Sequence, residues 1–446
     1  MAYTPHSKQD IAEMLKSCGK EKLEDFFKNI PKEIRYNGEF NIPSSMSEIE
    51  LTRYFNELAS KNTICNMNFL GAGSYNHFIP SAVNAIISKG EFFTAYTPYQ
   101  AEGSQGTLQA IYEFQSYITM LTGTDVSNAS LYDGATALCE AVIMACAETR
   151  KAKVITFDSV HPEYLETLLT YNDKKNINII PSEVSSLQDK IDKETAAVII
   201  QSPNFFGCIE DIAKISEIAK SVNAVLIVVI NELYSAGILK TAGELGADIV
   251  VGDAQSFGNP IAFGGPSLGF MGVKPKFMRK IPGRLCGQTV DTDGNIGYVL
   301  TLQAREQHIR RDKSSSNICS NQALCALAAS VNLSLIGKKG LREISMQNMQ
   351  KAHYAAEKIT SLDGFSLKFD KPFFNEFTVK CDKAKIFDIV DSLMKKNIAC
   401  GLPLERFYKN MDDCLLICVT EMITKDMIDE FVRELSNCMK GALANV

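Results

Sequence analysis

The sequence predicts an α/β fold with a mostly parallel sheet, preceded by a helical arm and followed by a small α+β domain. Two observations lead to this prediction. Short β-rich runs alternate with helical stretches between about residues 61 and 302, and the run VLIVVI at 225–230 is apolar at every position. Alternation of strands and helices is typical of doubly wound domains. A strand without polar alternation is expected where helices cover both faces of a parallel sheet.

Residues 1–60 show a helical pattern interrupted by turns. Ser7 is positioned to cap a helix whose apolar residues Ile11, Met14 and Leu15 share one face, and Ser45 or Ser47, with Glu48, could open a second helix. We expect this region to be an arm that wraps a neighbouring subunit rather than a separate domain.

Residues 61–336 are predicted to form the large α/β domain, and residues 337–446 the small α+β domain. In the large domain the predicted strands are 154–157, 176–180, 197–201, 225–230, 249–251 and 270–273, with helices such as 163–171 and 212–222 between them. In the small domain the predicted strands are 365–369, 376–381 and 415–420, and the predicted helices are 384–396 and 424–441.

Composition excludes several classes of partner. The net charge of −6 argues against nucleic acid or an anionic membrane surface as a ligand. The 13 cysteines include no CxxC pair and read as reduced, buried small hydrophobes. The five histidines are not spaced as metal ligands with those cysteines.

Residues 1–10 do not look like a secretory signal, and no apolar run looks long enough to span a bilayer, so we expect a cytoplasmic protein.

The most informative stretch is 246–271, where an apolar strand runs into a polar turn and then into a glycine-rich loop. The turn reads Ala254-Gln255-Ser256-Phe257, with Pro260 after it. This layout resembles the cofactor-lysine turn of the fold-type-I pyridoxal phosphate (PLP) enzymes, most closely that of the glycine cleavage P-protein, which has His-Lys-Thr-Phe. The resemblance implies that Gln255 occupies the lysine position. A carboxamide cannot form the Schiff base with which covalent PLP chemistry begins.

Three further positions follow from the resemblance. Asn231 ends the strand 225–230, where PLP-binding relatives have Asp, and an amide cannot hold a pyridinium nitrogen protonated through charge. The phosphate cradle would lie at 130–136, but Asp133 opposes a phosphate there and favours ordinary helix capping. His161 falls roughly where relatives place a histidine against the cofactor, and a purely structural role is equally open.

Longer motifs carry the resemblance more specifically. The stretches 69–75, 93–106 and 287–322 are very similar to the alpha-subunit branch of the two-subunit glycine cleavage P-protein family, and the resemblance extends from about residue 8 to the C-terminus. It implies a large domain of the fold-type-I PLP-transferase kind. It also implies a complex that decarboxylates glycine through PLP and transfers the aminomethyl group to the lipoyl arm of the H component.

In that family the lysine and the PLP belong to a separate beta subunit, and the two chains assemble as an α2β2 heterotetramer. The resemblance therefore implies no catalytic, cofactor-binding or metal-binding residue in this chain. It offers candidates for an active-site mouth or a subunit interface, namely Tyr96, Tyr99, Gln100, His161, Arg305, His308, Arg310, Lys313 and Asn317.

The two groups of candidates have alternative roles. A tyrosine-rich loop suits an interface or a ligand mouth, but it could equally pack against its own domain. The basic residues around 305–313 could face the lipoyl-carrier protein, commonly acidic in this system, or bond the tyrosine loop across a dimer. Glu306 and Asp312 could pair with these cations and so favour the structural role.

Two other functions remain open from the sequence. A displaced lysine, Lys240 or Lys274, would make the chain a self-sufficient PLP enzyme, and peptide mapping after borohydride reduction would reveal it. The chain could also be a solitary pseudoenzyme that scaffolds an unrelated partner. A gene for a lysine-bearing homologue beside this one would count against that scaffold.

Overall fold

A computed structural model describes residues 5–36, 38–314 and 316–444 of the 446. The chain divides between Thr63 and Ile64 into two compact units. In the first unit the helices are α1 (Lys8–Ser17) and α2 (Glu48–Ser60). Ser7 and Ser47 cap them, each accepting a bond from the backbone three residues on. Both predicted helix starts are confirmed, and no residue of either helix is buried.

The second unit contains the sheets. Its helices within the described residues are α3 (Ser81–Ile87), α4 (Gly90–Phe93), α5 (Gln105–Thr122), α6 (Gly134–Thr149), α7 (Pro162–Asn172), α8 (Leu187–Lys190), α9 (Ile212–Ser221), α10 (Gln307–Arg310), α11 (Ala323–Thr360), α12 (Ile386–Met394) and α13 (Lys425–Ala444). Its strands are β1 (Met67–Asn68), β2 (Val126–Ser127), β3 (Lys153–Phe157), β4 (Asn178–Ser182), β5 (Thr195–Gln201), β6 (Val225–Ile230), β7 (Ile249–Asp253), β8 (Gly269–Val273), β9 (Cys286–Val290), β10 (Ile296–Leu300), β11 (Phe365–Leu367), β12 (Glu376–Cys381), β13 (Ile398–Ala399), β14 (Leu402–Pro403) and β15 (Cys414–Cys418).

The main sheet has seven strands in the order β2-β8-β7-β6-β5-β3-β4. The five strands from β4 to β7 are parallel, and β8 and β2 extend the sheet antiparallel at one edge. Every residue of β6 is buried, as its unbroken apolar sequence predicts. The predicted α/β class with a mostly parallel sheet is therefore confirmed.

A second, antiparallel sheet has the order β11-β12-β15-β14 and shares its core with α12 and α13. This agrees with the α+β pattern predicted for the C-terminal region. The short strand β1 pairs in parallel with β13, so the beginning of the second unit is hydrogen-bonded to its C-terminal part.

Helix α11 corrects one expectation from the sequence. By length and composition alone it could cross a membrane, although the sequence seemed to contain no such run. It leaves helical geometry at Gly337 (φ +55°), and it packs against α3 and α5. Its apolar side chains belong to the protein core, so it is a core helix.

Cysteine chemistry agrees with the prediction. All 13 cysteines are free, and eight of them are buried. Burial raises the pKa of several of these thiols, for example that of Cys139 to about 12, which keeps them protonated and unreactive.

Candidate functional site

The site lies where β6 and β7 end, because the carboxyl ends of parallel strands meet at one edge of the sheet. Asn231 follows β6, Gln255 follows β7, and His161 lies before α7 at the same edge. A fourth element reaches them from far along the chain. Residues 69–78, which we call the strap, run from β1 towards α3.

Gly73 of the strap lies against two of these residues. A Cβ built on Gly73 would be 2.9 Å from Cδ2 of His161 and 3.5 Å from Nδ2 of Asn231. The residue has φ +95°, which glycine adopts without strain. Gly73 therefore lies close to both His161 and Asn231, with no room for a side chain towards His161.

Gln255 is bound to the next part of the strap. Its Oε1 accepts a hydrogen bond from the backbone N–H of Tyr75 at 3.0 Å, and its Nε2 donates to the carbonyl of the same residue at 3.2 Å. Nε2 also donates to the carbonyl of Asn259 at 2.6 Å. The carboxamide is buried, with its hydrogen-bonding capacity directed to backbone groups.

His161 is neutral, and its tautomer follows from its partners. Nδ1 accepts from the backbone N–H of Glu163 at 3.2 Å, so the proton lies on Nε2, which donates to the carbonyl of Ala72 at 2.9 Å. Burial lowers the pKa of the imidazole. The ring is thus hydrogen-bonded to the strap backbone at Ala72.

The amino-terminal end of α6, where the resemblance would place a phosphate cradle, is bonded to the chain's own carboxylates. Asp133 caps the helix by accepting from the backbone N–H of Thr136 at 2.7 Å, as the sequence favours. Asp253 accepts from the N–H of Gly134 at 3.2 Å. Burial raises the pKa of Asp253, which also accepts bonds from Ser267 and two further backbone N–H groups.

Asn231 differs from its neighbours, since neither its side-chain oxygen nor its nitrogen has a hydrogen-bond partner among the described residues. The side chain is nevertheless buried. It contacts the strap by packing and supplies no charge.

The other side of the strap is bonded to the C-terminal sheet. Glu376 on β12 accepts from the N–H of Ala72 at 2.6 Å and from the hydroxyl of Tyr75 at 2.9 Å. Complete burial raises the pKa of Glu376 to about 7, although these two bonds lower it. The strap therefore connects the two sheets through one buried carboxyl group.

His77 makes a second connection. Its Nε2 lies 2.8 Å from Oε2 of Glu232, which follows Asn231, and its Nδ1 lies 2.8 Å from Oε2 of Glu421, which follows β15. Burial alone would lower the pKa of His77, but the two carboxylates outweigh it and raise the pKa to about 9. The imidazole is therefore charged at neutral pH and is bound on both sides.

Of the two alternative lysines, Lys274 lies at the other end of β7 from Gln255. Nζ of Lys274 lies 3.8 Å from Oδ1 of Asp248, which precedes β7, whereas Gln255 follows the opposite end of that strand. Lys240 is exposed on the chain after residues Leu233–Gly237. The hypothesis of a displaced lysine at 274 is therefore wrong on the position of its side chain.

The remaining sequence candidates lie elsewhere. Tyr96 and Gln100 are exposed, whereas Tyr99 donates its hydroxyl to Oδ1 of Asn321 at 3.0 Å and its ring packs under the guanidinium of Arg284. Tyr99 is thus the member of the tyrosine loop that packs against its own unit.

In the basic segment, 305–313, one of the two expected acidic partners, Glu306, lies near cations. Glu306 lies 3.4 Å from both Arg284 and His308, and Arg305 donates to the carbonyl of Ile281 instead of pairing with a carboxylate. His308, Arg310, Lys313 and Asn317 are exposed.

The fold, with its mostly parallel seven-stranded sheet and smaller antiparallel sheet, is that of the fold-type-I PLP enzymes. The fold is similar to that of the glutamate decarboxylase of Lactobacillus brevis, with a TM-score of 0.69 and 16% identity over 92% of this chain and 96% of that one. The model of the family "Glycine cleavage system P-protein" matches residues 1–435, and the chain belongs to that family.

Two relatives match over almost the full length. The chain is 49% identical over 442 residues to the "Probable glycine dehydrogenase (decarboxylating) subunit 1" of Desulforamulus reducens, covering 96% of this chain and 98% of that protein. It is 37% identical to a crystallised glycine decarboxylase (P-protein) of the glycine cleavage system, in inhibitor-bound form. That match has a TM-score of 0.91 and covers 98% of this chain and 100% of the other.

The residues at this edge do not fit the PLP that the fold class implies. At the positions that the sequence resemblance assigns to the lysine and to the pyridinium carboxylate, the chain has a carboxamide bonded to Tyr75 and an uncharged Asn231. Gly73 of the strap lies close to both His161 and Asn231, and Asp253 accepts from the N–H of Gly134 where the resemblance places the phosphate.

Sequence reasoning missed the residues that organise the site: Tyr75, His77, Glu232, Asp253, Glu376 and Glu421. Tyr75 belongs to the motif 69–75 that supports the family resemblance, and Asp253 lies two residues before Gln255, so both positions carried a signal. Glu376 and Glu421 follow no local pattern, since they meet the strap from about 300 residues away.

Proposed function

We propose that this chain is the non-catalytic subunit of a two-subunit glycine decarboxylase in the glycine cleavage system. The complex decarboxylates glycine and passes the aminomethyl group to the lipoyl arm of the H component. A lysine-bearing second subunit holds the PLP, which serves as the electron sink for decarboxylation. This chain supplies interface area and walls for the assembly, in an α2β2 arrangement.

The observation that carries the proposal is the bonding of Gln255. An amine is needed at this position to bind PLP covalently, and the carboxamide found there is buried and committed to Tyr75 and Asn259. Asn231 supports the same conclusion, because it adds no charge where a carboxylate would be needed.

Two features support assembly with a second subunit. The relative from Desulforamulus reducens is named as a "subunit 1", which implies a subunit 2. The first unit of this chain also exposes large apolar side chains along one face of α2, among them Leu51 at 45% and Phe55 at 58%. Exposed apolar faces of this kind mark protein–protein contacts.

The exposed part of the basic segment is available to the H component or to the second subunit. Arg310, Arg311 and Lys313 are exposed, and a patch of cations attracts an acidic partner through complementary charge. The cytoplasm is the location we assign to the complex, since all 13 cysteines are free.

The test is to purify this chain alone, the lysine-bearing second subunit alone and the two after coexpression. Each sample is assayed with added PLP for glycine–bicarbonate exchange and is sized by gel filtration. We expect no exchange from this chain alone, and exchange from the coexpressed pair that elutes as one heterotetramer.

Exchange catalysed by the lone chain would overturn the proposal. Full activity of the second subunit alone, without co-elution of this chain, would also overturn it and would favour a solitary scaffold.

A further inference from the structure

The strap occupies the cofactor position of the fold with its own backbone. Three consecutive parts of it contact the three residues that would surround the ring of PLP. The carbonyl of Ala72 binds His161, Gly73 lies close to both His161 and Asn231, and both backbone groups of Tyr75 bind Gln255. The contacts come from main-chain atoms, so they do not depend on a flexible side chain.

The strap is also held from outside the site. Glu376 binds Ala72 and Tyr75, and His77 is bound by Glu232 and Glu421. Tyr75 and His77 are 4% and 5% exposed, respectively. Buried groups with satisfied hydrogen bonds are costly to pull into water, because each would lose its partner.

The helix end that would bind the phosphate is also occupied by groups of the chain itself. Asp253 accepts from the N–H of Gly134, and Asp133, the residue before Gly134, caps α6 by accepting from the N–H of Thr136. These two carboxylates would repel a phosphate at this helix end, and the phosphate would have to displace them from the backbone N–H groups.

From these contacts we propose that the strap is a permanent internal occupant of the cofactor position. On this view the chain excludes PLP by filling the site, and the missing lysine is a second and separate obstacle. The hydrogen bonds between Gln255 and the backbone of Tyr75 hold the strap in place. This inference depends on the fold of this chain and not on the identity of its partner.

The direct test is the variant Gln255→Lys, which restores an amine at the lysine position. The matched control is Gln109→Lys, which places the same residue at an exposed position on α5. Each full-length variant is incubated with PLP, reduced with borohydride and mapped by mass spectrometry. We expect no more adduct at position 255 than at position 109.

Near-stoichiometric labelling at position 255, at least tenfold above the control, would overturn the proposal, because it would show that the amine alone reopens the site.

A second measurement remains decisive even if Gln255→Lys fails to fold. Hydrogen exchange of the unaltered chain is compared between residues 69–78 and the exposed turn at 291–294. We expect the amides of Ala72 and Tyr75 to exchange at least a hundredfold more slowly than that turn. In Gln255→Ala, exchange at Tyr75 should rise at least tenfold. Exchange of the unaltered strap at the rate of the turn would contradict permanent occupancy.

Discussion

The strap and helix α2 use their residues in opposite ways. In the strap, polar side chains are buried and bonded, as with Tyr75 and His77 at 4% and 5% exposure. In α2, apolar side chains are exposed, as with Leu51 and Phe55 at 45% and 58%. In the proposed arrangement, the chain fills a place that its fold class keeps open for a cofactor. It leaves uncovered a surface that needs a neighbour, which is the division expected of a subunit that assembles but does not bind PLP.

The largest expected effect concerns the exposed side of this comparison. In the double variant Leu51→Glu with Phe55→Glu, two charges replace the apolar face of α2 and would have to be buried on assembly. We expect binding to the second subunit to weaken by about 4 kcal/mol, or about a thousandfold in Kd. The measurement is titration calorimetry or gel filtration of the mixed subunits.

The control is Asn56→Glu with Ser60→Glu, which adds the same two charges to the opposite side of the same helix. Equal weakening by both double variants would show that the effect comes from charge alone, and the apolar face would lose its assigned role.

The next prediction concerns the buried strap and the dependence of its stability on pH. His77 has a pKa of about 9 in the fold and an ordinary value near 6.5. Its contribution is therefore complete below pH 6.5 and is lost as the pH rises through 9. We expect about 3 kcal/mol of unfolding free energy to disappear across this window.

The groups facing His77 are Glu232, Glu421 and the ring of Tyr234, and Lys351 donates to the carbonyl of Glu421. Glu376 also has a raised pKa, about 7 instead of 4.5. Its contribution to the free energy of unfolding is therefore also lost as the pH rises, between pH 4.5 and 7. Urea unfolding at a series of pH values measures both effects.

Replacing His77 by Gln should flatten the stability profile above pH 6.5, while the same change at the exposed His6 should leave it unaltered. If the stability of His77→Gln fell with rising pH as steeply as that of the unaltered chain, the pairing of His77 with Glu232 and Glu421 would not cause the pH dependence.

The smallest expected effect is a difference in stability between two glycine variants, which distinguishes a steric clash in the strap from backbone strain. Gly73 and Gly264 both have positive φ, +95° and +109°, but a Cβ on Gly73 would meet the His161 ring at 2.9 Å and one on Gly264 would meet no atom within 4 Å. We expect Gly264→Ala to cost about 1–2 kcal/mol from backbone strain. Gly73→Ala should cost about 2 kcal/mol more, because the strap must shift.

Thermal and urea unfolding of the two variants measure the difference. Equal costs would mean that the strap is loosely packed against His161, contrary to its proposed role.

Much of the fold could be predicted from the sequence. The apolar run of β6 requires a strand covered on both faces, and the alternation of strands and helices around it requires a parallel sheet. The boundary of β4 was less certain: it lies two residues later than predicted, because short runs near turns carry a weak periodic signal.

The sequence by itself also determined the chemistry missing from the site. Gln255 and Asn231 cannot supply an amine or a carboxylate in any conformation, because those properties belong to the side chains. What fills the site was decided by the tertiary structure. Glu376 and Glu421 meet the strap across about 300 residues of chain, and Gly73 lies against His161 because the sheets pack in one particular way. Contacts between residues so far apart in sequence follow from packing and leave no local pattern to read.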